Sequence, residues 1–293
     1  MSALLETTTL RVDIAGVPCV DGLSMVTSGD HVVVLGAPSG LFEAVSGMRK
    51  VTRGELRVAG REPLEAVRAG VLAGAALDPP VPPTWTPRGY VEWSARLSGV
   101  SKRDARARAN EALELLKMTA SAETPLRTAP LHVRRAMGVA AAMATGAEVI
   151  VMEDPAVSLP EDAARNLCRL VATALAASTD HARRWILFAA RISLESPLAM
   201  HADEALVLMG SSVTGQGALA ELATRERSYA LRVVGKEAEF LEAAEARGAQ
   251  VVRHGAHLTV DLGPSLHTRD LLELAEQVSS VIVEMRPLAR AFL

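Results

Sequence analysis

Uninterrupted runs of apolar residues alternate with helical patterns over most of this 293-residue chain. The apolar runs occupy residues 31–35, 148–152, 185–190 and 205–209. Short continuous apolar runs are typical of strands buried on both faces of a parallel sheet, and the helices between such strands cover those faces. The pattern therefore predicts an α/β fold built on a mostly parallel sheet.

A second pattern, in which apolar and polar residues alternate, lies on either side of the first buried strand. Residues 9–14, 17–26 and 55–59 alternate in this way, which predicts half-buried strands. We expect 9–14 to be an edge strand. Together these segments predict a smaller antiparallel β subdomain beside the parallel sheet.

A proline-dense stretch at residues 78–87 precedes a group of helical patterns. Proline lacks a backbone N–H and disrupts helix interiors, so this stretch is expected to form neither a helix nor a central strand. Helical patterns follow at 88–97, 101–117 and 132–144, and they predict a helical subdomain at about residues 85–145. Further helices are predicted at 41–47, 162–177 and 218–224.

The composition changes near residues 225–228, and a different order of elements follows. The predicted elements are strand 229–235, helix 236–246, strand 249–253, strand 256–262, helix 268–278 and strand 281–285. This β-α-β-β-α-β order is that of the ferredoxin-like fold. We therefore predict a core domain at residues 1–225 and a C-terminal ferredoxin-like α+β domain at residues 226–293.

Charge and composition narrow the possible partners. The net charge is −3, from 34 acidic and 31 basic residues, so no overall attraction for nucleic acid is expected. The longest apolar stretch, 137–152, is interrupted by Thr145, Gly146 and Glu148 and is too short to span a membrane. No secretory signal pattern is visible at the N-terminus, and we expect a cytoplasmic protein.

Residues 31–47 have the layout of a phosphate-binding loop: a buried strand, a glycine turn and then a helix. Gly36, Ser39 and Gly40 stand where such a loop has small residues. The lysine and the Ser/Thr of the pattern G-x-x-x-x-G-K-[ST] do not follow them. The nucleotide-binding residues that remain are thus vestigial, and we expect no nucleotide to bind there.

Six landmarks follow one another along the chain: the strand and loop start 28–36, the strand 53–60, the strand 148–155 with its acidic end, Asp203, Gly217 and the closing strand 283–288. Their order and spacing resemble the ATPase subunit of ABC transporters, of the kind that drives ABC-2 type exporters and carries a small C-terminal domain. In that family the strand 148–155 corresponds to the Walker B strand. The resemblance runs from about residue 9 to the C-terminus and implies a P-loop NTPase-type core.

Within this resemblance, the chain departs from the family at each nucleotide-contacting motif. The Walker A loop is about four residues short, Pro38 removes a backbone donor, and Glu43 is expected to bring negative charge near the phosphate position. The family's adenine-stacking aromatic is missing near Ala15. Its metal-sensing glutamine is missing near Leu77-Asp78.

The motifs that act across a family dimer also depart from the pattern. The signature loop corresponds to Ala129, Pro130, Leu131, His132 and Val133. Of these, Pro130, Leu131 and His132 are expected to block approach to a partner's γ-phosphate. Arg134 and Arg135, which follow the loop, survive from the family motif, although a solvated or core-edge role explains them equally. Pro160 replaces the D-loop aspartate, and Arg191 replaces the switch histidine.

Glu153 and Asp154 remain as an ambiguous pair of carboxylates. The family has Asp-Glu at this strand end, with the first binding metal and the second orienting water, and here the order is reversed. Two carboxylates could still hold Mg²⁺, but without a lysine and a threonine opposite them there is little to hold a nucleotide. The alternative explanation is a strand end at which Asp154-Pro155 starts a turn. We expect these positions and Arg191 to be vestigial rather than catalytic.

The histidines of the predicted C-terminal hairpin are not expected to bind a metal. His254, His257 and Asp261 are spread along an exposed hairpin and are interpreted as solvated. Neither a metal nor another cofactor is therefore expected.

The resemblance and its departures together imply a catalytically inactive, ATPase-like subunit. We expect it to act as a scaffold or regulatory component, peripheral at the inner face of the cell membrane. Its partners would be an ABC-2 type membrane subunit, an intact ABC ATPase subunit or both, in a homo- or heterodimer. Two alternatives stay open: weak Mg-ATP hydrolysis at Glu153 and Asp154, and a ligand-sensing regulator.

Overall fold

The computed structural model describes residues 3–38, 40–177, 183–223, 227–263 and 266–288. The strands are β1 (Leu5–Ile14), β2 (Val17–Val26), β3 (His31–Leu35), β4 (Arg53–Val58), β5 (Leu72–Ala75), β6 (Val149–Glu153), β7 (Arg184–Ala189), β8 (Glu204–Met209), β9 (Ser212–Gly217), β10 (Ser228–Val234), β11 (Gln250–His254), β12 (His257–Asp261) and β13 (Val281–Pro287). The helices are α1 (Leu41–Val45), α2 (Pro63–Arg68), α3 (Pro87–Leu97), α4 (Lys102–Leu115), α5 (Leu131–Thr145), α6 (Glu161–Ala176), α7 (Pro197–Met200), α8 (Leu219–Ala223), α9 (Glu237–Ala246) and α10 (Thr268–Gln277).

The four continuous apolar runs form the centre of a six-stranded sheet, as predicted. Its order is β5-β6-β7-β3-β8-β9, and only the β8–β9 pair among these strands is antiparallel. Alternate side chains of β3 belong to different apolar clusters on the two faces of the sheet. The carboxyl ends of the parallel strands therefore meet at one edge, which is where ligands bind in open α/β sheets.

The smaller antiparallel sheet has the order β2-β1-β4. The prediction that residues 9–14 form an edge strand was wrong, because β1 lies between the other two strands. The segment Leu5–Thr8, N-terminal to the alternating stretch, pairs with Glu55–Val58 of β4. This pairing joins segments about 50 residues apart, and the local alternation at 9–14 carries no information about it.

Sequence patterns also missed α2 and the edge strand β5. The strand is four residues long and consists of Leu-Ala-Gly-Ala, so its small side chains give a weak strand signal. Gly74 is needed there because a β-carbon would lie 2.9 Å from Cβ of Ser46. Parallel pairing with β6 makes β5 the edge strand of the sheet, and Gly74 allows it to pack closely against the end of α1.

Helices α3, α4 and α5 pack together as the predicted helical subdomain. The hydroxyl of Ser101 begins α4 by accepting a hydrogen bond from the Asp104 N–H at 3.2 Å, and Thr86 does the same for Gly89 at the start of α3. The proline-dense stretch before α3 has neither helix nor strand over residues 78–86. Among the described residues, no helix is long and apolar enough to cross a bilayer.

The C-terminal elements form a four-stranded antiparallel sheet with the order β11-β12-β10-β13. This is the strand order of the ferredoxin-like fold. Thr259 of β12 donates a hydrogen bond to the Thr214 carbonyl of β9 at 2.7 Å, which joins this sheet to the core. The predicted domain boundary at residues 225 and 226 lies outside the described residues, and the division stays a prediction.

Candidate functional site

The carboxyl edge of the central sheet brings most of the predicted vestigial residues together. Gly36 follows β3, Glu153 ends β6 and Arg191 comes two residues after β7. The backbone N–H of Gly36 donates to the Ala189 carbonyl at 3.1 Å, and that of Asp154 donates to the Phe188 carbonyl at 2.8 Å. Ser39, the remaining predicted nucleotide-binding residue, lies outside the described residues.

The two glycines of the loop, Gly36 and Gly40, allow neighbouring segments of the chain to approach the loop backbone closely. Gly36 has φ 67°, and a β-carbon there would lie 2.6 Å from the Leu208 carbonyl oxygen. Gly40 has φ 87°, and a β-carbon there would lie 2.7 Å from Sγ of Cys19. Positive φ is accessible to glycine at little cost. Both glycines are thus required by contacts within the chain.

The two residues that follow Gly40 are part of the apolar core. Leu41 is completely buried, and its N–H donates to the Pro38 carbonyl at 3.2 Å. Phe42 is also buried and meets Phe188 edge-on, with 6.0 Å between the ring centroids. At the positions where the phosphate-binding pattern has lysine and Ser/Thr, this loop has no cation and no hydroxyl.

The negative charge of Glu43 is paired with a neighbouring arginine, which the sequence-based expectation did not include. Its carboxylate accepts a hydrogen bond from Arg49 Nε at 2.5 Å, and the two side chains form an ion pair. Arg49 also lies 3.5 Å from the Asp13 carbonyl. The pair could not be predicted from the sequence, because the end of α1 has to turn Arg49 back toward Glu43.

Glu153 and Asp154 both accept hydrogen bonds from the backbone of neighbouring loops. Glu153 Oε2 accepts from the Leu77 N–H at 3.0 Å, and Asp154 Oδ1 accepts from the Ala156 N–H at 2.8 Å. Burial raises the pKa of Asp154, while the hydrogen bond from Ala156 and the nearby charge of Arg135 oppose that rise. In this arrangement the carboxylates stabilise the strand end and the turn after it.

Arg135 is buried at this edge, while Arg134 is exposed. The Arg135 guanidinium donates from Nη1 to Asp78 Oδ2 at 3.0 Å. Glu153 and Arg135 therefore fasten the start of the proline-dense stretch, at Leu77 and Asp78, to β6 and α5. Asp78 and Arg135 are 57 residues apart in the chain, so local sequence patterns could not predict this contact.

The signature-loop equivalent forms an ordinary helix start. Pro130 immediately precedes α5, and its carbonyl accepts hydrogen bonds from the N–H groups of Val133 and Arg134. Ala129 and Val133 are buried, Leu131 is half-buried, and Pro130 and His132 are exposed. The exposed proline and imidazole lie at the surface, and their blocking of a partner's γ-phosphate stays a prediction.

Asp154 and Arg191 line one cavity of about 250 Å³, which sequence reasoning did not anticipate. Cys168 of α6 also lines it, and burial raises the pKa of its thiol to about 11, with Ser196 opposing and Asp154 adding to that rise. A thiol with so high a pKa stays protonated at neutral pH and is a poor nucleophile. The cysteine is a packing residue of this cavity.

The histidines of the C-terminal hairpin do not form a metal centre. His257 is buried, contrary to the prediction that it is solvated, and its Nδ1 lies 3.1 Å from Ser212 Oγ. Asp261 accepts a hydrogen bond from Ser228 Oγ at 3.0 Å. The described part of the chain contains no group of three His, Cys, Asp or Glu side chains that could hold a metal ion.

Replacing Asp154 with asparagine is expected to stabilise the protein at neutral pH. Asparagine keeps an acceptor for the Ala156 N–H but does not ionise. Because burial raises the pKa of Asp154 above 3.8, the stabilising contribution of this carboxyl is fully present below pH 3.8 and is lost as the pH rises through the raised pKa. The advantage of Asp154→Asn should therefore shrink as the pH falls toward 4.

Urea unfolding of both proteins between pH 4 and pH 8 measures this difference. A wild-type protein that is more stable than Asp154→Asn by the same margin at every pH would contradict the expectation. That result would mean that the ionised carboxylate makes a favourable interaction with Arg135 that outweighs its burial.

Curated relatives match about half of the chain. A taurine import ATP-binding protein, TauB, of Mesorhizobium japonicum is 29% identical over 161 residues, which are 52% of this chain and 60% of that protein. TauB of Sinorhizobium fredii is 28% identical over 137 residues, 44% of this chain and 49% of that protein. The chain thus spans about half the length of the curated relatives that it matches. No protein-family model matches the sequence.

Solved structures with the same fold cover about three quarters of the chain. The structure of cbiO1 from Clostridium perfringens, part of the ABC transporter complex cbiONQ, matches with a TM-score of 0.61 at 15% identity, over 76% of this chain and 92% of that one. MJ1267, an ATP-binding cassette of an ABC transporter, matches in its ADP conformation with a TM-score of 0.60 at 16% identity, over 75% and 93%. At these identities the likeness shows the ATP-binding cassette fold.

Proposed function

We propose that this chain, which is similar to ABC transporter ATP-binding subunits and shares the fold of ATP-binding cassettes, is a member of the ABC ATPase family and a subunit of a transport complex that has kept the ATPase shape without ATP hydrolysis. In this role it acts as a scaffold or regulatory component. It lies at the inner face of the cell membrane, held there by its partners.

The observation that carries this proposal is the packing of the described loop residues, 36–38 and 40–42. A phosphate-binding loop needs free backbone N–H groups, a lysine and a metal-binding hydroxyl. In this chain the N–H groups of Gly36 and Leu41 donate to carbonyls of the protein itself. The side chains of Leu41 and Phe42 are buried in the core. Binding of a triphosphate would require this loop to unpack.

A second argument comes from the composite sites of the family. Family ATPases form head-to-tail dimers in which each nucleotide lies between the Walker A loop of one subunit and the signature loop of the other. This chain would contribute the loop at 36–42 to one site and residues 129–133 to the other. Neither contribution has the family's residues, so a dimer with an intact ATPase would have no complete site.

The proposed partners are an ABC-2 type membrane subunit, an intact ABC ATPase subunit or both. In the family, the surface that contacts the membrane subunit surrounds the segment equivalent to residues 78–98. Here that segment carries three neighbouring aromatic rings: Trp85 meets Trp93 with 5.4 Å between centroids, and Tyr90 lies 6.1 Å from Trp93. Trp93 remains 43% exposed, which leaves an aromatic surface open for docking.

The main rival function is weak Mg-ATP hydrolysis at Glu153 and Asp154. The two carboxylates lie at a strand end where a family ATPase binds metal, which favours this alternative. Their hydrogen bonds to Leu77 and Ala156 weigh against it, since a metal would compete with both. A third candidate function is a regulator that senses a ligand, and a cavity lined by Arg191 favours it.

Calorimetry with Mg-ATP tests the proposal against its rival. We expect no measurable binding to the wild-type protein at millimolar nucleotide, and no ATP hydrolysis above a blank without protein. Micromolar affinity that is lost in Glu153→Ala would overturn the scaffold proposal and establish the rival. An intact ABC ATPase measured in parallel serves as the positive control.

Affinity purification from native membranes tests the docking role. We expect the tagged chain to bring down a multi-span ABC-2 type membrane protein or an intact ABC ATPase, identified by mass spectrometry. Trp93→Ser should lose that partner, whereas Leu272→Ser, at an exposed site on α10, should keep it. A monomeric chain that captures neither partner would show that the docking role is wrong.

A further inference from the structure

A cavity of about 590 Å³ lies between the carboxyl edge of the central sheet and the C-terminal sheet. Its core side is formed by the ends of β7 and β8, with Gly36 and Thr214. Its other side is formed by residues of β10 and β13 and by the residue after β13. The apolar lining includes Val207, Leu208, Met209, Ala230, Pro287 and Leu288. A volume of this size is within the range of small-molecule sites.

The charged lining of this cavity consists of two arginines and, among the described residues, no acid. Arg286 already shares its charge with Glu284, because its Nη2 lies 2.6 Å from Glu284 Oε1. Arg191 is exposed and also lines the smaller cavity that contains Asp154, but it forms no ion pair with any side chain in the described ranges. The cavity thus combines an apolar interior with one guanidinium that is not held in an ion pair.

We propose that this cavity binds an amphipathic organic monoanion, a carboxylate whose apolar body lies against Val207, Met209 and Leu288. The carboxylate pairs with the guanidinium of Arg191, since planar guanidinium and carboxylate groups match each other's hydrogen-bonding geometry. This assigns a ligand role to the residue that stands at the switch-histidine position.

The charge balance distinguishes this ligand from a nucleotide. A triphosphate carries several negative charges and is normally held by backbone donors, a lysine and a metal ion. The cavity offers one unshared guanidinium, and the N–H of Gly36 at its margin already donates to Ala189. A single carboxylate with an apolar body satisfies both the charge and the lining.

Binding would also couple the two parts of the fold. Gly36 and Val207 belong to the core, whereas Ala230 and Leu288 belong to the C-terminal segment, so a ligand that contacts both stabilises their packing. The inference does not rest on the absence of ATP hydrolysis. A protein that hydrolyses ATP and one that does not could each carry this site, so the two proposals fail independently.

Calorimetry with decanoate tests the inference, with the neutral 1-decanol and with Mg-ATP as comparison ligands. We expect decanoate to bind with a stoichiometry of about one per chain. The affinity for 1-decanol should be lower by a factor of about ten or more, as is typical when one charged hydrogen bond is lost. Arg191→Gln should weaken decanoate binding by a similar factor and leave 1-decanol binding unchanged.

Two further variants separate a specific site from nonspecific binding. Ala230→Leu fills the cavity and should reduce the binding of both decanoate and 1-decanol, with the unfolding midpoint measured to confirm a folded protein. Arg269→Gln, at an exposed pair with Glu273 on α10, is the matched control and should bind decanoate as the wild-type protein does.

Three results would overturn the proposal: no binding of decanoate to the wild-type protein, equal affinity for decanoate and 1-decanol, or equal loss in Arg191→Gln and Arg269→Gln. If Ala230→Leu does not fold, the comparison of the two arginine variants decides by itself. Mg-ATP that displaces decanoate from the wild-type protein would also contradict the assigned ligand class.

Discussion

Replacing Leu41 with lysine is expected to lower the free energy of unfolding by about 2–5 kcal/mol, the usual cost of losing a buried leucine, and to create no affinity for Mg-ATP. This change restores the residue type that the phosphate-binding pattern has after its second glycine. Leu41 is completely buried at the start of α1. An ammonium group at this position would lose its hydration without gaining a partner.

The test measures urea unfolding and calorimetry with Mg-ATP on the same protein. Leu41→Met is the matched control, because a volume-conserving apolar replacement usually costs less than about 1.5 kcal/mol. If Leu41→Lys is as stable as Leu41→Met and binds Mg-ATP, the loop can rearrange into a phosphate cradle. That outcome would contradict the proposal that the ATPase shape is retained without its chemistry.

Replacing Gly36 with alanine is expected to destabilise the protein by about 1–3 kcal/mol more than replacing Gly22 with alanine, which is the range for overpacking. Both glycines have positive φ, 67° at Gly36 and 80° at Gly22, so both variants share a similar backbone strain. A β-carbon at Gly36 would lie 2.6 Å from the Leu208 carbonyl oxygen, whereas one at Gly22 would have no heavy atom within 4 Å.

Chemical denaturation of the two variants gives the difference directly, because the shared strain cancels. Equal destabilisation would mean that β8 moves away from the loop at no cost, and that the loop is not tightly packed against the sheet. A larger loss at Gly36 supports the interpretation that this glycine is needed by the protein's own packing rather than by a bound phosphate.

Both variants test whether the loop serves the packing of the protein or the binding of a phosphate. The lysine variant adds the missing functional group, and the alanine variant removes the close approach that the glycine allows. In a functional phosphate-binding loop, lysine would be the native residue at position 41, and alanine at position 36 would weaken ligand binding. Here both are expected to act on stability, since the loop contacts Ala189, Leu208 and Cys19 of its own chain.

The positions of most helices and strands could be read from the sequence because they depend on local periodicity. The buried strands β3, β6, β7 and β8 were predicted within one residue at each end, and the β-α-β-β-α-β order at the C-terminus was predicted as well. Local patterns failed where the signal was weak, as in β5, or where pairing joins distant segments, as in the placement of β1 between β2 and β4.

The sequence predicted which residue types are missing from the candidate site, but not which contacts the residues present there make. A sequence by itself determines that no lysine follows Gly40, that an arginine, Arg191, follows one apolar run, and that Glu153 and Asp154 follow another. Those statements depend on residue identity and order alone.

Only the tertiary structure decided what these residues do instead. It pairs Glu43 with Arg49, directs Glu153 to the Leu77 N–H, joins Arg135 to Asp78, and lines a cavity with Arg191. Most of these contacts join segments far apart in the chain, and Glu43 meets Arg49 only because the end of α1 turns back. Their energies depend on burial and distance, which exist only once the sheet and helices have packed.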